Sequence, residues 1–250
     1  MATSVVDWVD HWLSPGRFAP YLRKAGGDRG RALALYEWNV RLSSAFLHDL
    51  SHLEIALRNA YDVALGPAVE PGESHWTDEA TALKLFPIHK RLNARGKNED
   101  INNTPRRLLS QSRKKEAERR ANGCIPAGPA VCGNCPPEIT CQAGSIVPGK
   151  IVAEQTFGFW AYMTSDHHEK TIWVPYLHKA YPTGHDRAKT HKSLEEVRDL
   201  RNRVAHHEPI FQRPEVHRRR ILSLMRTIRP EAEQHFTQNS DVQTIIAARP

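Results

Sequence analysis

The stretch DRGRALALYEWNVRLSSAFLHDLSHLEIALRNAYDVAL, residues 28–65, decides the fold class. Leu42, Phe46, Leu50, Leu53, Leu57, Ala60 and Ala64 follow one another at steps of four or three residues. That is one apolar stripe at helical period. Asp28 can accept from the free N–H groups at the start, and Gly66-Pro67 ends the segment. The stripe predicts one long helix, about 57 Å at 1.5 Å per residue. Ser43-Ser44 marks the place where it could bend.

The pattern continues outward in shorter pieces. Thr77 opens a short helix, TDEATALKLF, stopped by Pro87. Thr104 followed by Pro105 opens a helix over residues 105–120, ending at Asn122-Gly123. Helical character returns over 153–163, and over 171–181 with an interruption at Pro175. Ser193-Leu194-Glu195-Glu196 fits a capping box for a helix over 193–207, which must stop before Pro209. A further helix covers 214–229, and Pro230 sets off a short tail. Alternating period-2 runs and internal repeats are absent. The expectation is an all-α helical bundle with a Cys/Pro/Gly-rich insert at about 121–150 that forms a loop or small unit.

The 250 residues suffice for one large domain, or one domain with an insert. No apolar run approaches the ~20 residues that span a bilayer. The start, MATSVVDWVDHWLSPGR, carries Asp7, Asp10 and His11 within its apolar stretch and lacks the pattern of a secretion signal. A membrane protein, a secreted disulfide scaffold and a disordered tail are therefore poor readings, and a cytoplasmic location is expected. Lys and Arg number 35 against 28 Asp and Glu, a net charge of +7 that points to a polyanionic partner, nucleic acid first. No P-loop, GxGxxG or HExxH is present, which argues against nucleotide hydrolysis and zinc-protease chemistry. His167-His168-Glu169 invites a metal reading, but adjacent side chains on a helix point apart.

The informative motif is Arg201-Asn202-Arg203-Val204-Ala205-His206-His207-Glu208-Pro209, on the last turns of a helix. A histidine can give or take a proton near neutral pH. An arginine stays charged and can hold a phosphate through two parallel hydrogen bonds. An asparagine can orient the imidazole or a substrate hydroxyl. Together these groups suit RNA cleavage: a ribose 2′-OH attacks its neighbouring phosphate, a base takes the proton, and a cation stabilises the phosphorane. At 100° per residue, Asn202 and His206 lie about 40° apart, whereas Arg201 and His206 lie about 140° apart. Arg201 must then reach around, or the helix must loosen near His206, or two copies of the motif must share one site. The competing reading is a solvated helix end, since basic residues also suit the helix dipole there.

RNRVAHHEPIF resembles the signature of the Abi-like (abortive infection) proteins of the HEPN superfamily. YEWNVRLSSAFLHDLSHLEIALRNAY and TFGFW at 156–160 are similar to that family's first-helix and central motifs, in family order. The resemblance implies a HEPN-like helical bundle over about 28–212. Residues 1–27 would be an N-terminal helical extension, and 213–250 C-terminal helices packing on the domain. It further implies a metal-independent endoribonuclease working as a homodimer, a toxin-like effector of phage defence acting on single-stranded RNA. By position, Arg201 would bind phosphate, Asn202 would be the polar residue after it, and His206 the catalytic histidine. Glu54, Arg58 and Asn59 match the first-helix motif; Glu54 and Arg58 also read as an ordinary i, i+4 pair. Arg203 and His207 are supporting residues, His207 and Glu208 by capping and orienting the helix end. The resemblance assigns no cofactor to catalysis. An antitoxin, or a guide or regulatory RNA, is the kind of partner it suggests.

Two further signals lie outside the motif. Arg106, Arg107, Arg113, Lys114, Lys115, Arg119 and Arg120 make a basic helix opposed only by Glu116 and Glu118, able to track an RNA backbone or to serve as a solvated face. Cys124, Cys132, Cys135 and Cys141 form a C-x7-C-x2-C-x5-C cluster within the insert. Structural zinc, redox chemistry and no role at all remain as readings, with CGNC the plausible half of a zinc knuckle. TFGFW offers no reactive group and reads as core around Gly158. The rival to a nuclease is a non-catalytic RNA-binding or sensing module. A weaker third reading is a zinc-stabilised regulator.

Overall fold

In the computed structural model, which describes residues 7–123 and 147–250, helices dominate. They are α1 (Asp7–Leu13), α2 (Pro15–Lys24), α3 (Arg29–Leu65), α4 (Glu79–Leu85), α5 (Asn103–Gly123), α6 (Pro148–Glu154), α7 (Phe157–Tyr162), α8 (Arg187–Ala205), α9 (Pro214–Ile228), α10 (Glu233–Gln238) and α11 (Val242–Ala247). A small antiparallel hairpin, β1 (Lys90–Leu92) and β2 (Asn98–Asp100), pairs Lys90 with Asp100 and Leu92 with Asn98. Among the described residues no helix is long and apolar enough to cross a membrane. The four cysteines fall outside the described residues.

The long helix forms as its pattern demands. Asp28 caps it by accepting from the Arg31 N–H at 3.0 Å. Every member of the stripe from Leu42 to Ala64 is buried, and the helix runs unbroken past Ser43-Ser44 to Leu65. The chain divides into two compact units, residues 1–57 with 192–250, and residues 58–191.

In the first unit, Phe18, Tyr21, Trp38, Phe46, Leu50 and Leu53 supply large buried side chains. The Trp38 indole N–H donates to the Ile245 carbonyl at 2.6 Å, tying α11 to α3. Buried Asp49 accepts from the Ser240 hydroxyl at 2.7 Å. Arg220 on α9 pairs with Glu196 on α8 at 2.5 Å.

In the second unit the core is aromatic: Tyr61, Trp76, Phe86, Phe157, Phe159 and Trp160 are all buried. The aromatic residues of TFGFW are thus core. Tyr61 and Tyr181 share a hydrogen bond of 2.5 Å between their hydroxyls. His168 lies buried with Phe86 and Tyr162 edge-on, and neither ring nitrogen has a hydrogen-bond partner among the described residues. Burial, reinforced by the neighbouring His167, pushes its pKa down to about 4, with Asp166 opposing.

Several boundaries differ from the sequence reading. The helix expected from Ser193 begins at Arg187, because Asp186 accepts from the Lys189 N–H at 3.0 Å and caps it about two turns earlier. Thr77 does not open α4; Glu73 reaches across to accept from the N–H groups of Ala80 and Thr81 at 2.6 and 2.7 Å. The segment expected as helix over 171–181 is a π turn, Glu169–Trp173, and a 3₁₀ turn, Leu177–Ala180.

Candidate functional site

The motif occupies the end of α8, where the chain must stop a helix and turn back. The helical ladder reaches His206, whose N–H donates to the Asn202 carbonyl at 2.9 Å. His207 then takes the left-handed conformation, φ 55°. Its N–H donates to the Val204 carbonyl at 3.1 Å, and that of Glu208 to the Arg203 carbonyl at 2.8 Å. These two bonds make a Schellman cap with histidine where glycine is usual. Histidine enters that region more readily than most side chains, but not freely.

The downstream chain is clamped. Arg203 donates to the Pro209 carbonyl and lies 3.6 Å from the Glu208 carboxylate. The Ile210 N–H donates to Oδ1 of buried Asn39 at 2.8 Å, and Phe211 packs edge-on to Tyr21 at 5.5 Å. Arg203 thereby holds the turn, and His207 is its cap.

The remaining motif residues are left available. Asn202 and His206 are both exposed on one face, as their four-residue spacing requires. Arg201 is half-buried and, among the described residues, has neither an ion-pair nor a hydrogen-bond partner. Because the ladder persists to His206, the angular separation of about 140° from Arg201 also persists. Local loosening before His206 is therefore not the means by which the two side chains meet.

A cleft of about 530 Å³ opens beside the turn, lined by Trp12, Arg17, Tyr36, Asn39, Ser43 and His207 among others. The sequence pointed to none of these except His207, since they come from α1, α2, α3 and the α8 cap. The surroundings are cationic. Burial and the neighbouring Tyr36 push the Tyr21 hydroxyl up to about 12, with Arg17 and Arg203 pulling the other way. His217 on α9 is held below its ordinary value by burial, then by Arg220 and Arg203, against Glu196.

The other expected site residues are placed differently. Glu54 and Arg58 are half-buried one turn apart on α3 and Asn59 is exposed; Glu54 falls in the first unit, Arg58 and Asn59 in the second. The basic helix keeps most of its charge for itself. Arg106 donates to the Phe86 carbonyl and pairs with Asp100, and Arg113 donates to the Thr77 carbonyl. Arg119 and Arg120 both bind the buried carboxylate of Glu116, at 2.7 and 3.1 Å. Burial raises the Glu116 pKa, but those two hydrogen bonds outweigh it and hold the carboxyl below its usual range. Lys114 lies 3.9 Å from Glu118 and Lys115 2.7 Å from Glu154. Arg107 is the exception, exposed and without a partner among the described residues.

Against protein-family models, curated proteins and solved structures, the chain finds no match.

Proposed function

We propose that the chain is a metal-independent endoribonuclease of the HEPN type, a toxin-like effector that cuts single-stranded RNA. The observation that carries this reading is the division of labour at the end of α8. Arg203 and His207 hold the turn, while Asn202 and His206 stand exposed and Arg201 has no partner among the described residues. Arg203 and His207 are thus spent on the turn, and the three side chains that a cleavage reaction would use are left available.

In the proposed reaction His206 takes the proton of a ribose 2′-OH as that oxygen attacks the adjacent phosphorus. The bond from phosphorus to the 5′-oxygen breaks, leaving a 2′,3′-cyclic phosphate, and the departing 5′-oxygen takes a proton from water to become a 5′-hydroxyl. Arg201 stabilises the charge that builds on the non-bridging oxygens. Asn202 orients the imidazole or the attacking hydroxyl. The persistent separation of Arg201 from His206 favours a homodimer in which one protomer's Arg201 serves the other's His206. Glu54 would support this site, and Arg58 and Asn59 of the first-helix motif belong to the same proposal. A structural zinc on the four cysteines, a cytoplasmic location and an antitoxin or RNA partner belong to the same proposal.

The test is cleavage of a single-stranded RNA by purified protein in EDTA, with His206→Ala as control. Cleavage by the wild type and its loss in the variant are expected. Equal cleavage by both, or salt-sensitive RNA binding with no cleavage by either, would defeat the proposal, the second outcome in favour of a binding module.

A further inference from the structure

We propose that the cleft beside the α8 turn is a nucleobase subsite that takes one unstacked base of single-stranded RNA; this rests on reading the end of α8 as the place where RNA is cut. Three observations point to it. The first is aromatic surface left in water. Trp8 and Trp12 are 50 % and 54 % exposed on α1, stacked on each other at 5.7 Å and 21°. Trp12 also meets Tyr36 edge-on at 5.5 Å at the cleft. An indole usually hides its large apolar surface. Two held together in solvent form a platform of the kind on which bases stack, regardless of sequence.

The second is a hydroxyl with nothing to bind. Ser43 lines the cleft, is 8 % exposed, and its Oγ is buried without a hydrogen-bond partner among the described residues. Buried polar atoms are nearly always satisfied, so such an exception asks for a ligand atom. A base edge carries donors and acceptors of the kind that this hydroxyl lacks.

The third is charge. Arg17 and His207 stand in the lining, which contains no carboxylate. Arg17 is exposed and, among the described residues, forms no ion pair. A base therefore enters with its phosphate facing Arg17, and His207 immediately follows His206 in the chain. The cleft volume lies within the ~300–1,000 Å³ usual for small-ligand sites. A single base fits there, whereas a duplex, whose bases are stacked and paired, presents none.

The experiment measures binding, not cleavage. A labelled twelve-nucleotide single strand and its duplex are titrated onto the full chain carrying His206→Ala. Tryptophan quenching by the single strand is expected, with affinity about 10-fold above that of the duplex. Trp12→Ala in the same background should erase that preference, Trp12→Phe should keep part of it, and Ser43→Ala should weaken single-strand binding by a smaller factor. Retention of full single-strand preference by Trp12→Ala would overturn the subsite, whether or not the wild type cleaves RNA. So would a change in self-association without a change in RNA affinity, which would make the indoles an interface between copies. Loss of preference in Trp12→Ala alongside absent cleavage would leave the subsite standing and remove the nuclease.

Discussion

The helix α5 and the end of α8 are both dense in arginine, yet they use it in opposite ways. On α5, Arg106, Arg113, Arg119 and Arg120 are bound to carbonyls or carboxylates of their own unit. At the end of α8 one arginine fastens the turn, and its neighbour two residues earlier has no partner among the described residues. Charge density along a sequence does not measure charge available to a partner. What counts is whether acidic and carbonyl groups elsewhere in the fold have already claimed it.

That contrast can be broken experimentally. His206→Ala should lower cleavage by about 10²–10⁴-fold, the usual worth of a general base. The double variant Lys114→Ala, Lys115→Ala should leave cleavage within about twofold, because surface charges away from a site rarely matter more. An equal loss in both would erase the distinction. Next, Arg201→Ala should cost about 10²–10³-fold in rate, as for removal of one donor to a developing oxyanion. It should also reduce the salt slope of RNA binding by about 1, a change the α5 double variant should not produce.

Histidines give a second comparison, exposed His206 against buried His168. His168 has a folded pKa near 4 and an unfolded pKa near 6.5. The unfolded chain binds the proton more readily, so the stabilisation is complete above pH 6.5 and is lost as pH falls toward 4. Between pH 7 and pH 5 the loss should be about 2 kcal/mol. His168→Leu should flatten that acid limb in thermal melts at the two pH values; an unchanged limb would place the acid sensitivity elsewhere. The smallest effect is expected on α5 itself. Glu116→Gln should destabilise the chain by about 1 kcal/mol by weakening two charge-assisted hydrogen bonds, seen as a lower unfolding midpoint. No change would mean that Arg119 and Arg120 gain little from their carboxylate.

Much of the helical skeleton was legible, for local reasons. The 28–65 stripe carries its own period and its own cap at Asp28, so tertiary structure had little to override. The hairpin was missed because Lys90–Leu92 and Asn98–Asp100 are too short and too exposed to alternate. The turn between them rests on Asn93, whose side-chain carbonyl accepts from the N–H groups of Arg95 and Lys97, and on Gly96 at φ 69°. The start of α8 was misplaced because Ser193 has the composition of a cap while Asp186 has the position of one. The motif residues were visible as a short run. The cleft was not, because Trp12, Arg17, Asn39, Ser43 and His207 become neighbours only through packing.

One feature of the chain path sets a clock. The first unit is built from residues 1–57 and 192–250, so it cannot close until everything from Arg58 to His191 has been synthesised. The second unit is one continuous run, available to fold as soon as it leaves the ribosome. Once folded, it holds residue 61 against residue 181 through the two tyrosine hydroxyls. The detour that the first unit must span then shrinks, and with it the entropy of bringing residue 57 back to residue 192. Translation thus delivers the end of α8 late, to a unit whose N-terminal half has been waiting for it.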